Sequence, residues 1–116
     1  MFQKVRPHQI SNLKNFINVL ENGYVYISSG LKKILYDKYD MPYYTDVYVD
    51  EENKVMRFKP GKEGDYTLCL NGNGAGLKIH FSKYRQYGIK PGKYYNVEFG
   101  NDYIDISYKE GETNNG

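Results

Sequence analysis

Tryptophan is absent from the chain, and cysteine occurs once, at Cys69, so no internal disulfide can brace the fold. A single thiol fits the reducing cytoplasm, the compartment expected here. Histidine occurs only at His8 and His80. With Cys69 these are the only soft metal ligands, and no two have the spacing of a zinc site, so no metal or other cofactor is expected. No apolar run approaches the ~20 residues of a membrane-spanning helix. The basic start, Met1 to His8, leads into no apolar stretch of the kind a secretory leader carries. Charge of one sign is scarce too: 16 Lys and Arg against 14 Asp and Glu leave +2. That is not the strongly basic surface of a protein held to nucleic acid by bulk charge alone.

What the chain does have is tyrosine. Fourteen Tyr and five Phe supply much of a 40% hydrophobic fraction, beside 26% charged residues, which is globular composition. Each buried Tyr brings a hydroxyl that needs a partner, so a thin core and a partly aromatic surface are expected. A length of 116 residues predicts one domain. The net charge is unevenly placed. Residues 1 to 23 carry Lys4, Arg6 and Lys14 against Glu21, whereas the two later portions, 24 to 60 and 61 to 116, are each neutral. A neutral body with a basic arm over 1–15 points to a polyanionic partner.

An internal repeat organises the rest. Tyr44-Thr45-Asp46-Val47-Tyr48-Val49 aligns with Tyr94-Tyr95-Asn96-Val97-Glu98-Phe99 at an offset of 50. Turn residues follow each stretch, and then a second alternating run, Val55 to Phe58 and Tyr103 to Ile106. Both read as β-hairpins, with Val47, Val49, Val97 and Phe99 facing the core. Upstream of each hairpin the pattern predicts a short helix, one capped by Ser29 with Leu31, Ile34 and Leu35 on one face, the other capped by Ser82 and ended by Gly88. Before each helix comes a strand, Tyr24–Ile27 and Leu77–Phe81, and before each strand a glycine-bearing turn. Residues 10 to 20 fit two patterns. Asn22-Gly23 between two β-rich runs favours a hairpin, while Ile10, Leu13, Phe16, Ile17 and Leu20 also make a helical stripe. The single domain is thus read as mainly β with short helices, in two repeats over about 16–60 and 66–108, with a frayed tail at 109–116.

The stretch Glu21-Asn22-Gly23-Tyr24-Val25-Tyr26-Ile27-Ser28-Ser29-Gly30-Leu31-Lys32-Lys33-Ile34-Leu35 resembles the AbrB/MazE-type swapped-hairpin barrels, in which an acidic-x-Gly turn leads to a strand and a helix bearing Leu and two basic residues. The hairpin from Thr45 to Val55 resembles the family's closing hairpin. The resemblance implies a barrel built of exchanged hairpins. Its tandem form, as in the MraZ-type members, would place both halves in one chain. It also implies sequence-specific binding of duplex DNA by a transcriptional regulator or antitoxin-like repressor. Lys32 and Lys33 match the family's paired basic residues. Tyr24 stands where a cation commonly follows the turn glycine, and Ile17 or Asn18 where one precedes it.

The candidate DNA contacts are Lys4, Arg6, Lys32 and Lys33, with Lys78, Lys83 and Arg85 as a second patch. Exposed Tyr beside Lys or Arg can stack on bases or anchor a protein interface; most Tyr, at alternating positions, are expected to pack. A Cys69–His80 nucleophile and base pair lacks an orienting third group. Cys69 is therefore read as a small core residue and His80 as a structural strand residue. The glycine-rich run Asn71 to Gly76 precedes a strand rather than a helix, so it reads as a hairpin connection and not a phosphate loop. Asp50-Glu51-Glu52 lacks the ligand spacing of a calcium loop. No acid and base pair marks an enzyme. A DNA-binding regulator is the leading reading. The alternative, favoured by the neutral body and the tyrosines, is a phage- or mobile-element-encoded module that binds and inhibits a host enzyme. Either is expected as a monomer or homodimer without membrane association.

Overall fold

Gly23 turns the chain at a φ of +94°, a conformation that glycine adopts without the steric penalty of a Cβ. The Tyr24 amide donates to the Asn22 side chain at 3.1 Å, and the Gly23 amide to the Leu20 carbonyl at 3.1 Å, which closes the turn. On either side run β1 (Ile17–Val19) and β2 (Tyr24–Ile27), paired antiparallel. The described part of this segment forms the hairpin, with a strand at Ile17–Val19 in place of the helical stripe; residues 10–14 lie outside the described residues. The computed structural model describes residues 2, 15–72 and 75–109. The basic arm with Lys4, Arg6 and His8, and the tail beyond Lys109, lie outside the described residues.

Helix α1 (Ser29–Lys38) follows β2 and is capped one residue earlier than expected. Ser28, not Ser29, holds the extended backbone of an N-cap, and its Oγ accepts from the Leu31 amide at 3.2 Å. The same oxygen accepts from the Phe16 amide at 3.2 Å, tying the helix start to β1. Leu31 and Leu35 point into the core. Asp40 and Met41 then take positive φ and Pro42 ends the turn, leading to the long hairpin β3 (Tyr44–Asp50) and β4 (Val55–Gly61).

In the second portion, β5 (Tyr66–Thr67) and β6 (Cys69–Leu70) are separated only by Leu68. The 71–76 segment joins β6 to its antiparallel partner β7 (Leu77–His80), as a hairpin connection should. A 3-10 helix (Ser82–Tyr87) follows β7. Ser82 does not cap it, because the cap position falls on Phe81 with no side-chain bond, while Gly88 ends it in the left-handed region as expected. Strands β8 (Gly92–Tyr94), β9 (Val97–Phe99) and β10 (Ile104–Ser107) complete the described elements.

The strands form two five-stranded antiparallel sheets. Sheet I has the order β6-β7-β2-β1-β8, and sheet II the order β5-β3-β4-β10-β9. At one edge the sheets share the run 66–70, which pairs with β3 through Thr67 and with β7 through Cys69. At the other edge β8 of sheet I runs on into β9 of sheet II across Tyr95 and Asn96.

Alternation along each strand sends one set of side chains inward. Ile17, Val19, Val25, Ile27, Leu77 and Ile79 of sheet I join Met56, Phe58, Ile104 and Ile106 of sheet II in one buried cluster with Leu31, Leu35 and Tyr84. The buried tyrosines satisfy their hydroxyls on the backbone: Tyr108 donates to the Tyr87 carbonyl at 2.8 Å, and Tyr94 to the Lys90 carbonyl. Val47, Val49 and Val97 lie half-buried against the cluster. Phe99 is a correction. It ends edge strand β9, with β10 on one side only, and the residue is 38% exposed. Cys69 is another. It is paired with Lys78, whose neighbours Leu77 and Ile79 fill the core, so Cys69 shares the solvent side with Lys78 and is exposed.

Candidate nucleic-acid interface

Because Val25 and Ile27 point inward, Tyr24 and Tyr26 point outward, and the same parity on β7 turns out Lys78 and His80. Pairing then carries a transverse row across sheet I. Cys69 lies opposite Lys78, Lys78 opposite Tyr26, Tyr26 opposite Asn18, and Asn18 opposite Lys93. Three strand spacings separate Lys78 from Lys93, about 14 Å. Two residues along, Tyr24 lies opposite His80. None of the five strands of this sheet contains Asp or Glu.

The aromatic groups on this face touch one another. The His80 ring lies 4.8 Å from that of Tyr24, Phe16 lies 6.2 Å from Tyr26, and Tyr95 lies 5.3 Å from Phe16, all centroid to centroid. Lysine amines sit over two of them, Lys78 Nζ 5.2 Å from the Tyr24 ring and Lys93 Nζ 5.1 Å from the Phe16 ring. Gly76 makes room for Tyr26: a Cβ there would lie 2.8 Å from the Tyr26 ring and 2.4 Å from the Ile27 carbonyl oxygen. A shallow depression of about 310 Å³ opens where Tyr24, Lys78, His80 and Cys69 meet Asp65, Tyr66 and Thr67. Asp65 is the carboxylate at its rim.

Sheet II presents the opposite chemistry. Its strands carry Asp46, Asp50, Glu98 and Asp105 against Arg57 and Lys59. Arg57 is committed internally. Its Nε and a terminal nitrogen donate to the two oxygens of Asp105 at 2.7 and 2.8 Å, and its guanidinium stacks 3.8 Å from the Tyr103 ring. The Asp105 bond raises the Arg57 pKa above its already high ordinary value. Asp50 is held below the usual carboxylate range by the Asn53 side chain and amide.

Of the candidate contacts, Lys78 stands in the central row of sheet I. Lys32 and Lys33 lie on α1 and Lys83 and Arg85 on the 3-10 helix. These two helices leave opposite ends of the antiparallel β2–β7 pair, so the structure does not gather the four cations into one patch. Lys32 Nζ lies 5.3 Å from the Tyr36 ring, and Arg85 Nε donates to the Tyr84 hydroxyl at 2.8 Å. Lys93, Tyr26 and Phe16 were not among the candidate contacts. Parity on their own strands was the available signal, but the row they form depends on pairings between segments far apart in sequence. No group of three or more His, Cys, Asp and Glu able to hold a metal occurs among the described residues. No described helix is long and apolar enough to cross a membrane. No family model, curated protein or solved structure matches the chain.

Proposed function

We propose that the chain is a small DNA-binding regulator or antitoxin-like repressor that meets DNA with the outer face of sheet I. The observation that carries this reading is the separation of charge between the sheets: lysines among aromatic rings and no carboxylate on one set of strands, four carboxylates on the other. A polyanion is attracted to the first and repelled by the second. Lys78 and Lys93 would meet phosphates, with Lys32, Lys33, Lys83, Arg85, and Lys4 and Arg6 of the arm, extending the contact beyond the sheet.

The family reading belongs to the same proposal. The chain is a single-chain pseudo-dimer of the AbrB/MazE/MraZ type, its two repeats closing a barrel at the edges the sheets share. Strand register supports it. The pair Ile17–Tyr94 becomes Thr67–Tyr44 when 50 is added to the lower number and subtracted from the higher. In the hairpins, Val47–Phe58 and Val49–Met56 correspond to Val97–Ile106 and Phe99–Ile104. Residues 24 and 77, which begin β2 and β7, and 29 and 82, which begin the helices, share an offset of 53.

Fluorescence anisotropy with a labelled random duplex of roughly 20 base pairs, titrated at several salt concentrations, tests the reading. Binding should weaken steeply with salt, and a Lys78→Ala, Lys93→Ala variant should lower the log–log slope by about 2. Absence of duplex binding at ~50 mM salt, where the electrostatic contribution is strongest, would remove it. The host-enzyme inhibitor would then lead, since Met41 and Tyr43 at the entry to β3 are 51% and 58% exposed, and exposed aromatic and Met side chains suit a protein partner.

A further inference from the structure

Resting on the nucleic-acid reading of sheet I, we infer that this face takes unpaired nucleotides, whose bases stack on Tyr24, Tyr26 and Phe16 while Lys78 and Lys93 meet the phosphates. Charge alone would serve a duplex equally well, so the argument lies in the rings. Bases inside a duplex hide their faces in the stack, and aromatic side chains can reach those faces only when a strand is unpaired. Tyr24 and Tyr26 are two residues apart on one strand, which sets their Cα atoms about 6.7 Å apart. Successive bases along a duplex strand are about 3.4 Å apart, half that distance. A strand drawn out over these two tyrosines would therefore have its bases separated, each opposite its own ring.

The rings lie in two groups on this face: His80 with Tyr24 at 4.8 Å, and, towards β8, Tyr26, Phe16 and Tyr95 with centroids 5.3 to 6.2 Å apart. The four residues of β2, Tyr24–Ile27, run about 13 Å, room for about two extended nucleotides along the strand. The amines of Lys78 and Lys93 rest over the Tyr24 and Phe16 rings. A base arriving on such a ring displaces the amine, and the flexible lysine stem carries it to the phosphate of the same nucleotide. Binding therefore exchanges a cation–π contact for a stacked base and an ion pair. Gly76 supports the arrangement by leaving the space that the Tyr26 ring fills.

The test compares a labelled oligo-dT of roughly 12 nucleotides, an oligo-rU of the same length and a duplex of roughly 12 base pairs at ~50 mM salt. Oligo-dT should bind about tenfold or more tightly than the duplex, which still binds measurably at this salt. Oligo-rU bound as well as oligo-dT supports the same inference with any single strand as the source; a preference for oligo-dT supports it with DNA. Tyr24→Leu should weaken oligo-dT binding about 5- to 100-fold, and Tyr24→Phe, which keeps the ring, should restore it. A thermal midpoint for both variants close to that of the parent establishes that the fold is intact. Duplex bound as tightly as either strand, or Tyr24→Phe failing together with Tyr24→Leu, would overturn the inference and leave DNA binding standing. No binding of any probe would overturn both.

Discussion

The two sheets share one interior and differ outside in where the carboxylates lie. Inside, Ile17, Val25 and Ile79 of sheet I meet Phe58, Ile104 and Ile106 of sheet II in one cluster. Outside, sheet I shows rings and lysines, while sheet II shows carboxylates with Arg57 locked onto Asp105. A chain with a net charge of only +2 thus presents two faces of opposite character. Net charge is a property of composition; the field a partner meets is a property of register, because pairing decides which charges share a face.

The shared interior can be broken from either side, and this is the largest effect expected. Phe58→Ala on sheet II should cost about 3–5 kcal/mol and Ile79→Ala on sheet I about 2–5 kcal/mol, each a large part of the stability of an ordinary domain. Urea denaturation reads both; a loss confined to one sheet would show two separate cores. Phe99→Ala, at the exposed edge of sheet II, should cost only about 1 kcal/mol.

A smaller effect comes from the tyrosines that line this interior. Burial pushes the hydroxyls of Tyr39, Tyr66, Tyr94 and Tyr108 above their usual pKa. In the unfolded chain they ionise near pH 10. The native state holds their protons longer, so stability is full below that pH and falls as pH rises beyond it. Thermal midpoints should therefore drop above about pH 10, with tyrosinate absorbance lagging behind that of the unfolded protein. The smallest effect belongs to sheet II alone. Asp50 titrates below the usual carboxylate range because Asn53 donates to it, and its contribution is lost as pH falls through that lowered value. Asn53→Ala should return Asp50 towards the ordinary range, as followed by carboxyl NMR titration.

Period-2 alternation made most strands legible, and Asn22-Gly23 identified the β1–β2 turn. Helix positions were legible to within one residue; the shift from Ser29 to Ser28 arises because Ser28 Oγ also serves the Phe16 amide, a contact across twelve residues. Cys69 was misplaced because alternation gives two faces without saying which is inside. The Lys78 opposite settles it. The same gap hid the candidate interface. Lys93 and Tyr26 meet in one row only through Asn18 between them, and no local pattern joins positions 18, 26, 78 and 93.

The central claim is that one outer face, and not the other, meets the polyanion. Titrating DNA into the isotope-labelled protein and following backbone amide shifts reads both faces in one experiment. The account predicts shifts at Asn18, Tyr24, Tyr26, Lys78 and Lys93, with Asp46, Tyr48, Lys59 and Asp105 unmoved. Shifts concentrated on sheet II, or spread equally over both sheets, would contradict it.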